Sequence, residues 1–194
     1  MALACDLMPE KAHKAKQVYH IDANVLLSYL WKDNEEQHKI VQGLFNRNNQ
    51  GDLKIKINTF ALGEVLQNLI RIHKERPNQD LENNEIQTLY RLFDSITFEI
   101  FKFENIDNKK KKGHDTESRE NGTGLQELIK RIKKLREIEP DSRIDNGDIV
   151  NIAIFTFDIE GTDFITFDED VLKSQKIKDY LESFDHKKVS GIGD

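Results

Sequence analysis

Carboxylates recur in this chain at the places where strands give way to helices. Asp22 ends the apolar run Val18-Tyr19-His20-Ile21. Asp145 and Asp148 open a strongly apolar segment through Asp145-Asn146-Gly147-Asp148. Asp168, Glu169 and Asp170 follow Phe164-Ile165-Thr166. Carboxylate oxygens are the natural ligands of hard divalent cations such as Mg²⁺. Each position also has a local structural use. Asp22 suits a helix N-cap. Asp148 falls near the third position of a helix capped by Asp145, where an acid complements the helix dipole. One acid of the Asp168–Asp170 run can cap the helix that follows, but three in a row exceed what a cap requires. The segment after Asp148 carries Ile149, Val150, Ile152, Ala153, Ile154, Phe155 and Phe157 on all sides. A helix of that kind is buried nearly all round, so an acid in its first turn sits at the rim of the core. An unpaired charge there is costly, and a bound metal ion would offset it.

These acids need elements to hold them. Hydrophobic periodicity predicts a strand over 18–21, a helix over 23–31 and another over 35–45. A half-buried strand follows over 54–58, from the alternation Lys54-Ile55-Lys56-Ile57. Asn58 or Thr59 caps a helix reaching about His73. After the break at Pro77 to Asp80 come a helix to about Phe93 and a strand over 97–103. A helix carries the stripe Leu125, Leu128, Ile129, Ile132 and Leu135, and Pro140 ends it. The series closes with a helix over 145–158, a strand over 163–166 and a final helix over 172–184. Strands alternating with helices specify an α/β fold, a three-layer α/β/α sandwich around a mainly parallel sheet. Sites in such sheets form at the carboxyl ends of strands, where Asp22 and Asp168 lie.

The chain has 194 residues and a formal net charge of −6. That length suits one domain, read as 18–194 after an N-terminal tail over 1–17, with a basic, mobile insertion at 105–124. No run approaches a membrane span, and no apolar signal segment opens the chain. The single cysteine, Cys5, can form neither an internal disulfide nor a zinc site alone. A reduced, cytoplasmic setting is expected. The acidic total speaks against a nucleic-acid partner until its distribution is examined. Residues 109–137 carry a net +5, and residues 138–170 a net −9. A basic stretch therefore adjoins the acids, as a polyanion-binding track beside a metal site would require. Lys109, Lys110, Lys111, Lys112, Lys130, Lys133 and Lys134 are the candidate contacts to the phosphates of such a polyanion. Residues 105–137 contain no Phe, Tyr or Trp to stack on bases, so contact would be to the backbone. Arg136, near the apolar stripe, reads as structural, and His20 as a core or surface residue.

The order of acids along the chain resembles that of a PIN domain, the family of metal-dependent nucleases that includes toxin–antitoxin ribonucleases. Four segments carry the resemblance: Tyr19 to Leu27, Thr59 to Val65, Asp148 to Ala153, and Phe164 to Asp168. The resemblance implies a site made of Asp22, Glu64, Asp148 and Asp168 that binds Mg²⁺ or Mn²⁺. It implies supporting roles for Asn24 and Thr166. By spacing alone Glu64 is an ordinary surface glutamate, just outside the stripe from Ala61 to Ile70. Asp145 and Asp170 are alternative ligands. The chain departs from the family pattern in its long basic insertion and in Ile154 and Phe155, where small residues are common.

The implied activity is divalent-metal-dependent hydrolysis of RNA phosphodiesters. The implied partners are an RNA substrate, a second copy of the chain, and an antitoxin or other protein. Two alternatives stand beside it. One is a PIN-like scaffold that binds RNA or protein without turnover. The other is an aspartate-nucleophile phosphatase, disfavoured because Asn24 occupies the position where its general acid would stand.

Overall fold

The computed structural model describes residues 17–31, 34–75, 87–88, 90–91, 98–101, 124–140, 143–184 and 187–192. The N-terminal tail, the Pro77 break, most of the 105–124 insertion and Lys109 to Lys112 lie outside them. Five strands form one sheet: β1 (Gln17–Ile21), β2 (Leu53–Asn58), β3 (Glu99–Phe101), β4 (Asp163–Ile165) and β5 (Lys188–Ser190). Their order is β3-β2-β1-β4-β5, and each neighbouring pair is parallel. Helices cover both faces, giving the three-layer sandwich expected from the alternation of elements. The strand order reverses between β1 and β4. That switch point opens a crevice at the carboxyl ends of the strands.

The helices are α1 (Ala23–Leu30), α2 (Glu35–Asn49), α3 (Thr59–Glu75), α4 (Gly124–Ile138), α5 (Asn146–Phe155), α6 (Glu169–Lys173) and α7 (Gln175–Glu182). One core lies under α1, α2 and α3, where Ile21, Ile55, Ile57 and Ile165 meet Leu26, Phe45, Ala61 and Val65. The other lies under α4, α5 and α7, where Phe164, Phe101 and Val189 meet Ile152, Phe155, Leu135 and Ile177. In β4 the neighbours Phe164 and Ile165 enter opposite cores because successive side chains of a strand point to opposite faces. Among the described residues no helix is long and apolar enough to cross a membrane.

Several elements differ from expectation for identifiable reasons. β2 is buried on both faces rather than half-buried, because it lies inside the sheet between β1 and β3. Its Lys56 is 2% exposed. Lys56 Nζ donates to Asp158 Oδ2 at 2.7 Å and to Glu160 Oε2 at 2.8 Å. His20 stands beside Lys56 in the register, and its Nε2 meets the same Asp158 oxygen at 2.6 Å. These partners are what allow a lysine to be buried in a sheet. His20 is thus a core residue, as expected. A Cβ on Gly161 would come within 2.9 Å of the Phe155 ring and 3.1 Å of His20, so only glycine lets this turn pass so close. The final helix is two helices, because the Ser174 hydroxyl accepts from the Ile177 N–H and starts a new one. β5 was not expected, since Lys-Val-Ser offers one apolar residue and no period.

Candidate active site

Three helix N-termini meet at the switch point, each begun by an aspartate. Asp22 follows β1 directly and caps α1. Its Oδ1 accepts from the Ala23 N–H at 2.8 Å. Asp145 caps α5 through a reciprocal box, in which its Oδ1 accepts from the Asp148 N–H and Asp148 Oδ2 accepts from the Asp145 N–H. Asp168 caps α6 by accepting from the N–H groups of Asp170 and Val171. The capping roles are therefore real, and they do not exclude another. The same geometry that makes an aspartate a cap turns its carboxylate toward the mouth of the crevice, and there the acids accumulate.

One cleft of about 440 Å³ is lined by Asp22, Glu64, Asp148 and Asp168 together with Asp145 and Asn24. The sequence brought these acids from four separate segments, and the fold places them on one surface. Asp22 is 3% exposed and is the most deeply set. Its Oδ2 accepts from Asn24 Nδ2 and from Thr166 Oγ1, both at 2.9 Å. Asn24 Nδ2 also reaches Thr166 Oγ1, and Asn24 Oδ1 accepts from the Phe167 N–H. Asn24 and Thr166 thus tie the end of β1 to the end of β4 and fix the Asp22 rotamer. Glu64 comes from α3, which crosses to α5 at this edge. It is held through its Oε2 by Asn151 Nδ2 at 2.9 Å.

Asn151 is the residue that sequence reasoning missed. It is fully buried, and its amide also donates to Asp22 Oδ1 at 3.1 Å, so one side chain joins two of the acids. Its signal was present, as the single polar residue between Ile149 and Phe155 in an otherwise apolar helix, three positions from Asp148. Gly147 is a second. A Cβ there would lie 2.2 Å from Glu64 Oε1 and 3.0 Å from Asp145 Oδ1, so glycine allows Glu64 to approach the start of α5. Arg136 is structural, as expected, and in a specific way. Its guanidinium donates to the carbonyls of Ile144 and Asp145 and to Asn146 Oδ1, and so fixes the turn that presents Asp145 and Asp148.

Other expected residues lie elsewhere. Asp170 does not line the cleft, and its carboxylate faces Arg143 at 3.6 Å. Lys130, Lys133 and Lys134 are exposed on α4 and do not line it either.

The charge balance of the cleft is unfavourable without a cation. Burial pushes the Asp148 carboxyl up to about 8, reinforced by the charges of Asp22, Asp145 and Asp168. Burial likewise raises Asp22, against the hydrogen bonds from Ala23 and Thr166 that favour its charged form, while the charge of Asp168 adds to the rise. Glu64 is raised by burial and by the charges of Asp22 and Asp145, opposed by its bond from Asn151. Such shifts mark acids crowded together beyond what the protein's own donors compensate. The donor set is all oxygen, which fits a hard divalent ion. Among the described residues no group of three or more Asp, Glu, His or Cys is already arranged to hold one. The carboxylates face the same space while engaged by Asn24, Thr166, Asn151 and backbone N–H groups.

No family model matches the sequence, and no curated protein matches it. Among solved structures, the fold is similar to a chain in the crystal structure of VapBC2 from Rickettsia felis bound to a DNA fragment from their promoter. The TM-score is 0.50 at 13% identity, over 90% of this chain and 98% of that chain. At that identity the likeness is one of fold, and it leaves the chemistry to be argued from the residues.

Proposed function

We propose that the protein is a PIN-type, Mg²⁺- or Mn²⁺-dependent endoribonuclease. The observation that carries this reading is the meeting of Asp22, Glu64, Asp148 and Asp168 in one cleft at the sheet's switch point, with the Asp148 carboxyl pushed up to about 8. Asp22, Glu64, Asp148 and Asp168 are the residues that would hold the ion. Asp145 stands beside them. A divalent ion at such a site lowers the pKa of bound water and neutralises charge on the phosphodiester. The chain's own residues do the rest. Asn24 and Thr166 hold Asp22 in one rotamer, Asn151 sets Glu64 beside it, and the capping box holds Asp148 at the rim. Among the described residues no histidine lines the cleft, which leaves the acids as the groups that would accept a proton.

The fold neighbour was solved as part of VapBC2 on promoter DNA. That supports a protein partner of antitoxin type for this chain; the cytoplasm is the setting we propose with it. A second copy of the chain is a further partner consistent with this reading. The prediction is that wild-type protein cleaves RNA with Mn²⁺ and that Asp22→Asn loses activity by at least about a hundredfold, as the removal of a transition-state charge ligand should. Gel-based cleavage assays measure it. Equal rates for the two proteins would exclude the reading.

One observation favours a second reading, a scaffold without turnover: among the described residues the acids form no ready-made ligand group. The same assay separates the two, since a scaffold retains RNA or protein binding while neither wild type nor variant cuts.

A further inference from the structure

The cleft has two ends of opposite character. Glu64, Gln67, Asn68 and Arg71 all line it, and all come from α3. Their spacing of three, four and seven residues places them in one stripe along the helix. At the helical rise, Arg71 lies about 10 Å along the axis from Glu64. The wall facing this stripe includes Ala23 and Leu27 of α1, which packs against α3. A groove therefore runs from the acids, between α1 and α3, to an arginine.

Arg71 is the only cation among the described residues lining the cleft, and five acids line it too. Yet Arg71 makes no ion pair with any described residue. Its side chain is exposed at the far end of the groove from the acids. A guanidinium presents a planar fork of donors suited to two oxygens of one phosphate. The intervening Gln67 and Asn68 supply amide groups. Asn68 Nδ2 is used by the Glu64 carbonyl, which leaves its Oδ1 to meet a donor. The lysines of α4 do not line this cleft.

We propose that Arg71 binds a phosphate of the same single RNA strand that flanks the scissile phosphate, so that the strand lies along α3 with its scissile bond at the acidic end. This rests on the ribonuclease reading for the identity of the scissile end. The consequence is a polarity: the cleft accepts a strand with at least one more phosphate than the bond it cuts. A dinucleoside monophosphate, whose one phosphate is the scissile one, gains nothing from Arg71.

The test uses the full chain and its Arg71→Ala and Arg71→Lys variants. Binding of a short end-labelled single-stranded RNA is measured by fluorescence polarisation in Ca²⁺ at several salt concentrations, with the RNA checked for integrity afterwards. Arg71→Ala is expected to weaken binding about tenfold, and to reduce the slope of log affinity against log salt by about 0.7, the value for one phosphate contact on a single strand. Arg71→Lys should restore the slope but only part of the affinity, because it keeps the charge and loses the fork. In Mn²⁺, Arg71→Ala should raise KM for the oligonucleotide about tenfold, in step with the loss of binding. Unaltered RNA affinity and salt slope in Arg71→Ala would overturn the proposal, and would point to another anion, such as an acidic protein segment, as the ligand of Arg71. If wild type binds RNA but cuts nothing, the ribonuclease reading fails while the binding comparison still decides the role of Arg71.

Discussion

Glu64 and Gly147 show how little room the site leaves. Glu64 comes from α3 and Gly147 from α5, and the carboxylate occupies the space a methyl group would need. Gly147→Ala is expected to displace the Glu64 carboxylate rather than unfold the protein, because the obstructing atoms are the free end of a side chain. Mn²⁺-dependent cleavage should fall about tenfold or more, with the thermal midpoint little changed, as steady-state assays and calorimetric scans will show. The acid at Asp148 gives a pH test. Its folded-state pKa, about 8, lies above the ordinary 3.8. A group raised in this way stabilises the fold fully below the lower value, and the contribution is lost as pH rises through the higher. Metal-free wild type should therefore lose stability between about pH 4 and 8 more steeply than Asp148→Asn, which cannot titrate. Denaturant midpoints across that range measure the difference. His20 acts in the opposite sense, since burial lowers its pKa, but it is common to both proteins and cancels in the comparison. Equal pH slopes would show that Asp148 is not crowded by its neighbours.

At the level of elements, the site is held by the start of α5. Arg136 at the end of α4 grips the turn before it through two carbonyls and the Asn146 side chain. Arg136→Ala should free that turn and weaken Mn²⁺ binding about tenfold, the scale on which loss of a supporting partner usually acts. Titration calorimetry against wild type measures this. Unchanged affinity would mean that Asp145 and Asp148 hold their places without α4. The sequence made much of this visible. Apolar β1 and β4, each followed by an acid, are legible because buried parallel strands are short apolar runs with chemistry at their ends. So is α5, whose apolar surround foretold an acid at the rim of the core. Glu64 was legible only through the family resemblance, because its partner Asn151 is 87 positions away in the chain and no local period records that contact. Lys56 read as the polar side of a half-buried strand for the same reason: Asp158, which neutralises it, is 102 positions away. β5 and the division of the last helix depend on three-residue pairings and a single serine cap, features too short for periodicity to register.

For the whole molecule, the net charge of −6 is the sum of parts with different tasks. The acids of 138–170 include a buried structural site at Asp158, matched by Lys56 and His20, and a group around Asp148 that the protein leaves incompletely matched. The first is buried against His20 of β1 and Lys56 of β2, and the second opens to the cleft at the strand ends. Only the second gives a divalent ion something to do. The acidic total is therefore compatible with an RNA substrate, provided that metal occupies the cleft and a cation such as Arg71 receives the flanking strand. The most direct test is a crystal structure of the wild-type protein soaked in millimolar Mn²⁺, with anomalous scattering recorded to locate the metal. A peak is expected in the cleft, coordinated by Asp22 and Asp148 and bordered by Glu64 and Asp168. Crystals with an accessible cleft and no anomalous peak in it would rule out a metal site there.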